Sequence, residues 1–146
     1  MVDDVLLNKS AIIERCVARA REEYHTDPSS FAQNLTRQDA AILNIQRACE
    51  AALDMGQHLI RRERLGVPQG SRDVFDLLAQ GGWINTDMAA ALKRMMGFRN
   101  IAVHDDQTLQ LPITVAIITH NLDDLLAFTQ RILKTGYEKK THRSPT

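Results

Sequence analysis

Hydrophobic residues recur every three to four positions along most of this chain, a spacing that is typical of amphipathic helices. The pattern predicts a first helix that begins near Asp3 and Asp4, whose carboxylates can cap it, and that ends near Tyr24. Residues 25–30 (HTDPSS) are predicted to form a turn, because Pro28 lies within them.

The second predicted helix starts after Thr36 and is the longest in the pattern. Thr36 and Asp39 resemble a capping box in which Asp replaces the usual Glu or Gln. The helix should end near Gly66, because Pro68 prevents its continuation.

The third predicted helix is short, beginning at Ser71 and ending at the pair Gly81 and Gly82. The next two residues, Trp83 and Ile84, are apolar although they fall between helices, so we expect them to be buried under the loop.

Two further helices complete the pattern. The fourth is capped by Asn85 or Thr86 and runs through Ile101, and the fifth has Pro112 in its first turn and ends at Gly136. Because no segment alternates with the period of a strand, the sequence predicts an all-α fold, an antiparallel bundle of about five helices.

Length and composition indicate the number of domains and the cellular location. A chain of 146 residues is predicted to form one helical domain over residues 1–136, followed by a polar, frayed tail over residues 137–146. The N-terminus lacks the positive charge of a secretion signal, and apolar runs are shorter than a membrane span. Cys16 and Cys49 match no metal or redox pattern, so we expect a reduced, cytoplasmic protein without a membrane partner.

The overall charge is zero, but it is unevenly distributed. Residues 61–104 hold seven Lys and Arg against four Asp and Glu, whereas residues 1–60 hold six against nine. Exposed cations at helix ends explain this excess, because they are favoured there by the helix dipole. Alternatively, the basic segment forms a face that attracts phosphate, in which case Arg61, Arg62 and Arg94 are candidate RNA contacts.

The segment MMGFRNIAVHDDQ (95–107) holds the candidate chemistry. Asn100 and His104 are four residues apart, so their side chains can meet on one helix face. Arg99 and His104 are five apart, about 140° around a helix axis, so one straight helix cannot direct both at one point. Either the helix breaks near Val103, or two copies of the segment combine across the axis of a homodimer.

An arginine and a histidine together suit the cleavage of a phosphodiester. A guanidinium binds a phosphate bidentately and stabilises its developing charge. A histidine can take a proton from an RNA 2′-hydroxyl or give one to the leaving oxygen. Since His, Cys and acidic residues show no metal-ligand spacing, we expect neither a metal site nor a cofactor. A histidine at a helix end can also serve only as a cap.

The residues from Arg99 to His104 match the Arg-x4–6-His motif of HEPN-domain proteins, including the polar residue that follows the arginine. The chain resembles the HepT toxins of HepT–MntA toxin–antitoxin modules. The resemblance extends through ILNIQRACEAALD, RRERLGVPQGSRDVFDLLAQ and LKRMMGFRNIAVHD. It implies a homodimeric, metal-independent endoribonuclease acting on mRNA or tRNA, in which Arg99 and His104 are catalytic and Asn100 supports them. The implied partner is an MntA-like nucleotidyltransferase antitoxin.

One position departs from the family pattern. The motif commonly continues as His-x-Tyr, and the resemblance implies that this tyrosine is the residue that the antitoxin modifies with AMP. Here the position is Asp106. The chain is then either a natural variant that is restrained in another way or an altered form that escapes modification. Asp106 also places negative charge near His104, where it can raise the histidine pKa or repel a phosphate.

Two other functions fit the same sequence. The chain could be a non-catalytic helical dimer that serves as an interaction subunit for a nucleotidyltransferase partner, which Asp106 and the neutral total charge favour. It could also be a structural dimer in which Arg99 and His104 only connect the two copies. RNA cleavage by the intact chain, compared with His104→Ala, separates these hypotheses from the ribonuclease.

Overall fold

The computed structural model describes residues 3–99 and 107–141, and within them it contains helices and no strand. The all-α prediction is therefore confirmed. The elements are α1 (Asp4–His25), a 3₁₀ turn (Phe31–Gln33), α2 (Leu35–Glu63), α3 (Ser71–Gln80), α4 (Thr86–Met96), α5 (Gln107–Ala116), a π-helical turn (Ile117–Asn121) and α6 (Leu122–Thr141). The last three follow one another without a break, so the described residues form five helical rods.

Helices α1 and α2 pack against each other as an antiparallel hairpin. Lys9 pairs with Asp54 at 3.2 Å near one end, and Arg37 lies 3.8 Å from Glu23 near the other. The apolar stripes of both helices are buried between these pairs, as the periodicity predicts. They include Ile13, Cys16, Val17, Ala20, Ala41, Ile45, Ala48 and Cys49.

The start of α1 is capped as predicted, and the cap also joins α1 to α2. The Asp3 carboxylate accepts hydrogen bonds from the backbone N–H groups of Val5 and Leu6. It also binds the side chains of His58 and Arg62 on α2, and both of these distances are 2.8 Å. Burial alone would raise the pKa of Asp3, but these hydrogen bonds outweigh it and lower the pKa to about 2. His58 is thus bound to a helix cap.

Helix α2 begins earlier than the predicted start after Thr36. Asn34 caps it by accepting a hydrogen bond from the Arg37 N–H at 3.0 Å, so the predicted capping box is wrong. A 3₁₀ turn that the periodicity does not reveal precedes the cap. The side-chain amide of Gln38 donates to the Phe31 carbonyl at 2.8 Å and holds this turn against α2.

Helix α3 approaches α2 closely at Gly56. A Cβ at this position would lie 2.7 Å from Val74 Cγ1 and 3.3 Å from Leu78 Cδ1. Because the side chain of valine is stiff, α3 itself would have to shift. The two helices therefore pack at a distance that only glycine permits here.

We expect Gly56→Ala to lower the free energy of unfolding by about 1–2 kcal/mol, because overpacking outweighs the gain in helix propensity. Gly136→Ala is a matched control, because its added Cβ would meet the Trp83 ring at an ordinary 3.5 Å. The control should stabilise the protein by up to about 1 kcal/mol. Urea unfolding measures both variants, and equal signs would contradict this account of the contact between α2 and α3.

The fifth helix is predicted to have Pro112 in its first turn, but α5 begins at Gln107, so Pro112 lies beyond that turn. Proline removes one backbone N–H donor from the helix at this point. The hydroxyls of Thr114 and Thr119 donate to the carbonyls of Gln110 and Val115, a pattern that bends helices, and the π-helical turn lies here.

The last helix passes the predicted end at Gly136 and continues to Thr141. Gly136 does not terminate the helix and lies beside the buried Trp83, with room for a Cβ at an ordinary 3.5 Å from the ring. The Thr135 hydroxyl donates to the Trp83 carbonyl at 3.3 Å, and Lys139 Nζ lies 5.3 Å from the centre of the Trp83 ring. The first part of the predicted tail is therefore helical, and residues 142–146 lie outside the described residues.

By length and composition, the helical run over Gln110–Lys139 could also cross a membrane. Its apolar face instead packs in the core, where Leu122, Leu125, Phe128 and Ile132 are buried. The Phe128 ring meets the Phe75 ring edge to face at 5.6 Å. We interpret this run as the core helix of the bundle.

Candidate active site

Arg99 stands at the end of a tight turn that follows α4. Helix α4 ends at Met96, short of the predicted Ile101, which lies outside the described residues. The backbone N–H of Phe98 donates to the Met95 carbonyl at 3.0 Å, and that of Arg99 donates to the Met96 carbonyl at 3.4 Å. This tighter turn ends the helix and directs Arg99 toward α2 and α3.

Two helices hold Arg99. Its Nη1 lies 3.1 Å from Glu50 Oε1 on α2, and its Nη2 donates to Ser71 Oγ at 3.2 Å at the start of α3. The backbone carbonyl of Arg99 accepts a hydrogen bond from Gln46 Nε2 at 2.9 Å. Both the backbone and the side chain are therefore fixed, and 24% of the side chain is exposed.

Within residues 3–99 and 107–141, these contacts do not use every N–H donor of the guanidinium. Arginine carries five N–H donors, of which Glu50 and Ser71 accept one each. The buried Nε has no hydrogen-bond partner within residues 3–99 and 107–141. A fixed, partly exposed guanidinium with donors to spare can bind an oxyanion such as phosphate.

Cys49 lies behind this site. Burial raises the pKa of its thiol to about 12, although the nearby Arg99 opposes that effect. The Sγ atom contacts the Met95 carbonyl oxygen at 3.5 Å. Because only a thiolate is a strong nucleophile, Cys49 is a packing residue.

Arg72 also lies close to the turn, and the sequence did not identify it as a site residue. A Cβ on Gly97 would lie 3.5 Å from Arg72 Nη2, so this guanidinium approaches the backbone just before Arg99. Its membership of the basic segment was the available signal. No sequence signal indicated that Arg99 contacts Glu50, Ser71 and Gln46, because these residues are far from it in the chain.

The three arginines predicted as RNA contacts lie in different places. Arg94 is exposed on the last turn of α4, near Arg99. Arg61 is exposed on the last turn of α2, about 16 Å along the axis from Glu50 at 1.5 Å per residue. Arg62 is ion-paired with Asp3 and Glu63 and stacks on Trp83, so its contacts stabilise the fold.

The remaining predicted site residues, Asn100, His104 and Asp106, lie outside the described residues. Their roles stay predictions from the sequence. In the part of the chain that is described, no three His, Cys, Asp or Glu side chains are grouped so that they could hold a metal ion.

The family model for ribonuclease HepT-like proteins matches residues 13–132. The chain belongs to the HepT-like family. The match includes Arg99 together with Gln46, Glu50 and Ser71, and the family resemblance read from the sequence is confirmed.

A curated relative is the mRNA nuclease HepT of Shewanella oneidensis, which is 47% identical over 127 residues. The match covers 87% of this chain and 95% of the relative. A crystal structure of a mutant MntA–HepT toxin–antitoxin complex matches with a TM-score of 0.85 and 46% identity, over 89% of this chain and 98% of the other.

A third relative shows a modified form of such a toxin. It is the tri-AMPylated Shewanella oneidensis HEPN toxin in complex with the MNT antitoxin. It matches with a TM-score of 0.82 and 46% identity, over 90% of this chain and 98% of the other. The HepT-like fold of this chain is thus the fold of toxins that have been seen bound to antitoxins.

Proposed function

We propose that this chain is the toxin of a HepT–MntA-type module, a cytoplasmic endoribonuclease restrained by a nucleotidyltransferase antitoxin. The similarity to an mRNA nuclease over nearly the whole chain supports RNA, and mRNA in particular, as the substrate. The similarity to antitoxin-bound toxins supports the partner.

The observation that carries the proposal is the fixed guanidinium of Arg99. Glu50 and Ser71 hold it from two helices, and among the described residues each Nη atom has one N–H left for a phosphate. Such preorganised donors stabilise a transition state, because no reorganisation is needed when the charge develops. Arg99 is also the arginine of the Arg-x4–6-His motif.

The proposed reaction needs only proton transfer and charge stabilisation. The RNA 2′-oxygen attacks the adjacent phosphorus while a His104 imidazole takes its proton. The bond from phosphorus to the 5′-oxygen breaks, and the imidazolium gives its proton to that oxygen. Arg99 stabilises the negative charge on the phosphorane oxygens. The products are a 2′,3′-cyclic phosphate and a free 5′-hydroxyl.

Incubation of the purified chain with total RNA in EDTA tests this mechanism. We expect cleavage by the wild type, and a rate about 10²–10⁴-fold lower for His104→Ala, because a general acid and base is removed. Cleavage that EDTA abolishes and Mg²⁺ restores would contradict the mechanism.

We further propose that the active form is a homodimer with Arg99 and His104 near its axis. The five-residue spacing motivates this, because one helix face cannot present both side chains to one phosphate. A stable interface should bury about 1,200–2,000 Å² in total. Light scattering at micromolar concentration should therefore give the mass of two chains, and a monomeric mass would contradict the proposal.

Mixed dimers test the shared site directly. If Arg99 of one copy acts with His104 of the other, a dimer of Arg99→Ala and His104→Ala chains contains one intact site. Mixing and re-associating the two inactive variants should then restore part of the activity. Mixed dimers that remain inactive would show that each copy supplies both residues.

One feature of the sequence favours the alternative of a non-catalytic interaction subunit. Asp106 cannot carry AMP in the stable linkage that a tyrosine forms, and its charge opposes an RNA phosphate. A chain that binds the nucleotidyltransferase but cleaves no RNA in EDTA or in Mg²⁺ would support this alternative.

A further inference from the structure

A groove of about 380 Å³ runs between α1 and α2, beside the candidate active site. Gln46 and Glu50 line it, and the same two side chains hold the backbone and the guanidinium of Arg99. The groove is therefore continuous with the place where the scissile phosphate would bind.

The groove is lined by more basic side chains than acidic ones. Its lining includes Lys9, Arg15 and Arg47 against Glu50 and Asp54. Asp54 pairs with Lys9 at 3.2 Å, and Glu50 pairs with Arg99 at 3.1 Å. Both acids are thus paired. Within the described residues, neither Arg15 nor Arg47 forms a hydrogen bond or an ion pair.

The two arginines also lie at the same level of the hairpin. The pairs Lys9–Asp54 and Glu23–Arg37 fix the antiparallel register, in which residue 15 of α1 is opposite residue 47 of α2. Two positive charges that line one groove repel each other, and a polyanion bound in the groove would offset that repulsion. Arg47 lies three residues, about 4.5 Å along the axis of α2, from Glu50, which is the ion-pair partner of Arg99.

We propose that this groove binds the RNA backbone next to the cleavage site, with Arg15 and Arg47 each contacting a phosphate. The inference rests on the proposed function, because it extends the RNA path from Arg99. On this proposal, helices α1 and α2 supply the basic side chains that contact the RNA beside the reacting phosphate.

Binding of a non-cleavable strand tests the groove independently of catalysis. The probe is a short single-stranded RNA with 2′-O-methyl ribose throughout, titrated at several salt concentrations. Each phosphate contact on a single strand contributes about 0.7 to the slope of log K against log salt. We expect Arg15→Gln and Arg47→Gln each to make the slope shallower by about 0.7, and the double variant by about twice that.

Arg21→Gln is the matched control. Arg21 lies on the same helix, but it faces α6, where it pairs with Asp123 at 2.6 Å. The substitution removes the same charge from the chain, yet it should leave the slope unchanged. Melting curves and light scattering establish that all variants keep the wild-type fold and oligomeric state.

Each outcome decides the inference. Slopes that fall for the groove variants and not for Arg21→Gln support it. Equal slopes for all variants, or a fall that accompanies dissociation of the oligomer, would overturn it. A wild-type chain that binds the probe in the groove but does not cleave RNA is a separate result. It would contradict the proposed ribonuclease and leave the RNA-binding groove supported.

Discussion

Replacing Arg99 by alanine is expected to lower the rate of RNA cleavage by about 10²–10³-fold, the usual cost of removing a group that stabilises a developing oxyanion. The fall should appear mainly in kcat, because the charge that Arg99 stabilises is greatest in the transition state. Single-turnover cleavage of a defined RNA measures it.

Arg99→Lys separates charge from geometry. Lysine keeps the positive charge but lacks the planar fork that reaches Glu50, Ser71 and a phosphate together. We expect it to recover only part of the lost rate. Arg131→Ala is the control, because Arg131 is exposed on α6 and is not among the side chains that hold Arg99. An Arg99→Ala enzyme that cleaves as fast as this control would contradict the assigned role.

The second large effect concerns position 106 and the antitoxin. With ATP and Mg²⁺, we expect a HepT–MntA-type nucleotidyltransferase to leave the HDD segment of the wild-type chain unmodified. The same enzyme should add AMP to the Asp106→Tyr variant. Intact-mass spectrometry followed by peptide mapping measures the mass gain and its position.

The reason lies in the acceptor oxygen. A phenol oxygen that loses its proton to a base can attack the α-phosphorus of ATP, which releases pyrophosphate and leaves a durable phosphodiester. A carboxylate would give an acyl phosphate that water hydrolyses. AMP added beside Arg99 and His104 would block an RNA phosphate by bulk and by charge, so Asp106→Tyr should lose RNA cleavage once it is modified.

Asp106→Phe is the matched control for this variant, because it adds the ring without the hydroxyl. It should remain unmodified under the same conditions. AMP mapped to residues 99–107 of the wild-type chain would refute the account of Asp106.

The sequence predicted the helices whose signals are local. The Asp3 cap, the limits of α3 and the burial of Trp83 follow from neighbouring residues, and the structure agrees with each. Local signals also gave wrong helix limits. Gly136 resembles a helix end but lies inside α6, and Pro112 resembles part of a first turn but lies further inside α5.

In the candidate site, the sequence identified Arg99 but not the residues that hold it. Arg99 was recognisable because a short motif contains it, whereas its partners Gln46, Glu50 and Ser71 lie 53, 49 and 28 positions away in the chain. No periodicity reports contacts over such distances. The same holds for Arg15 and Arg47, which line one groove at the same level only because α1 and α2 are antiparallel.

The most direct test of the ribonuclease is the cleavage of a defined RNA in EDTA, with either ribose or 2′-deoxyribose at the cleaved position. If the 2′-oxygen is the nucleophile, the wild-type chain should cut only the ribose substrate and leave a 2′,3′-cyclic phosphate or its hydrolysis product. Equal cleavage of the deoxyribose substrate, or no cleavage of either substrate, would contradict the account.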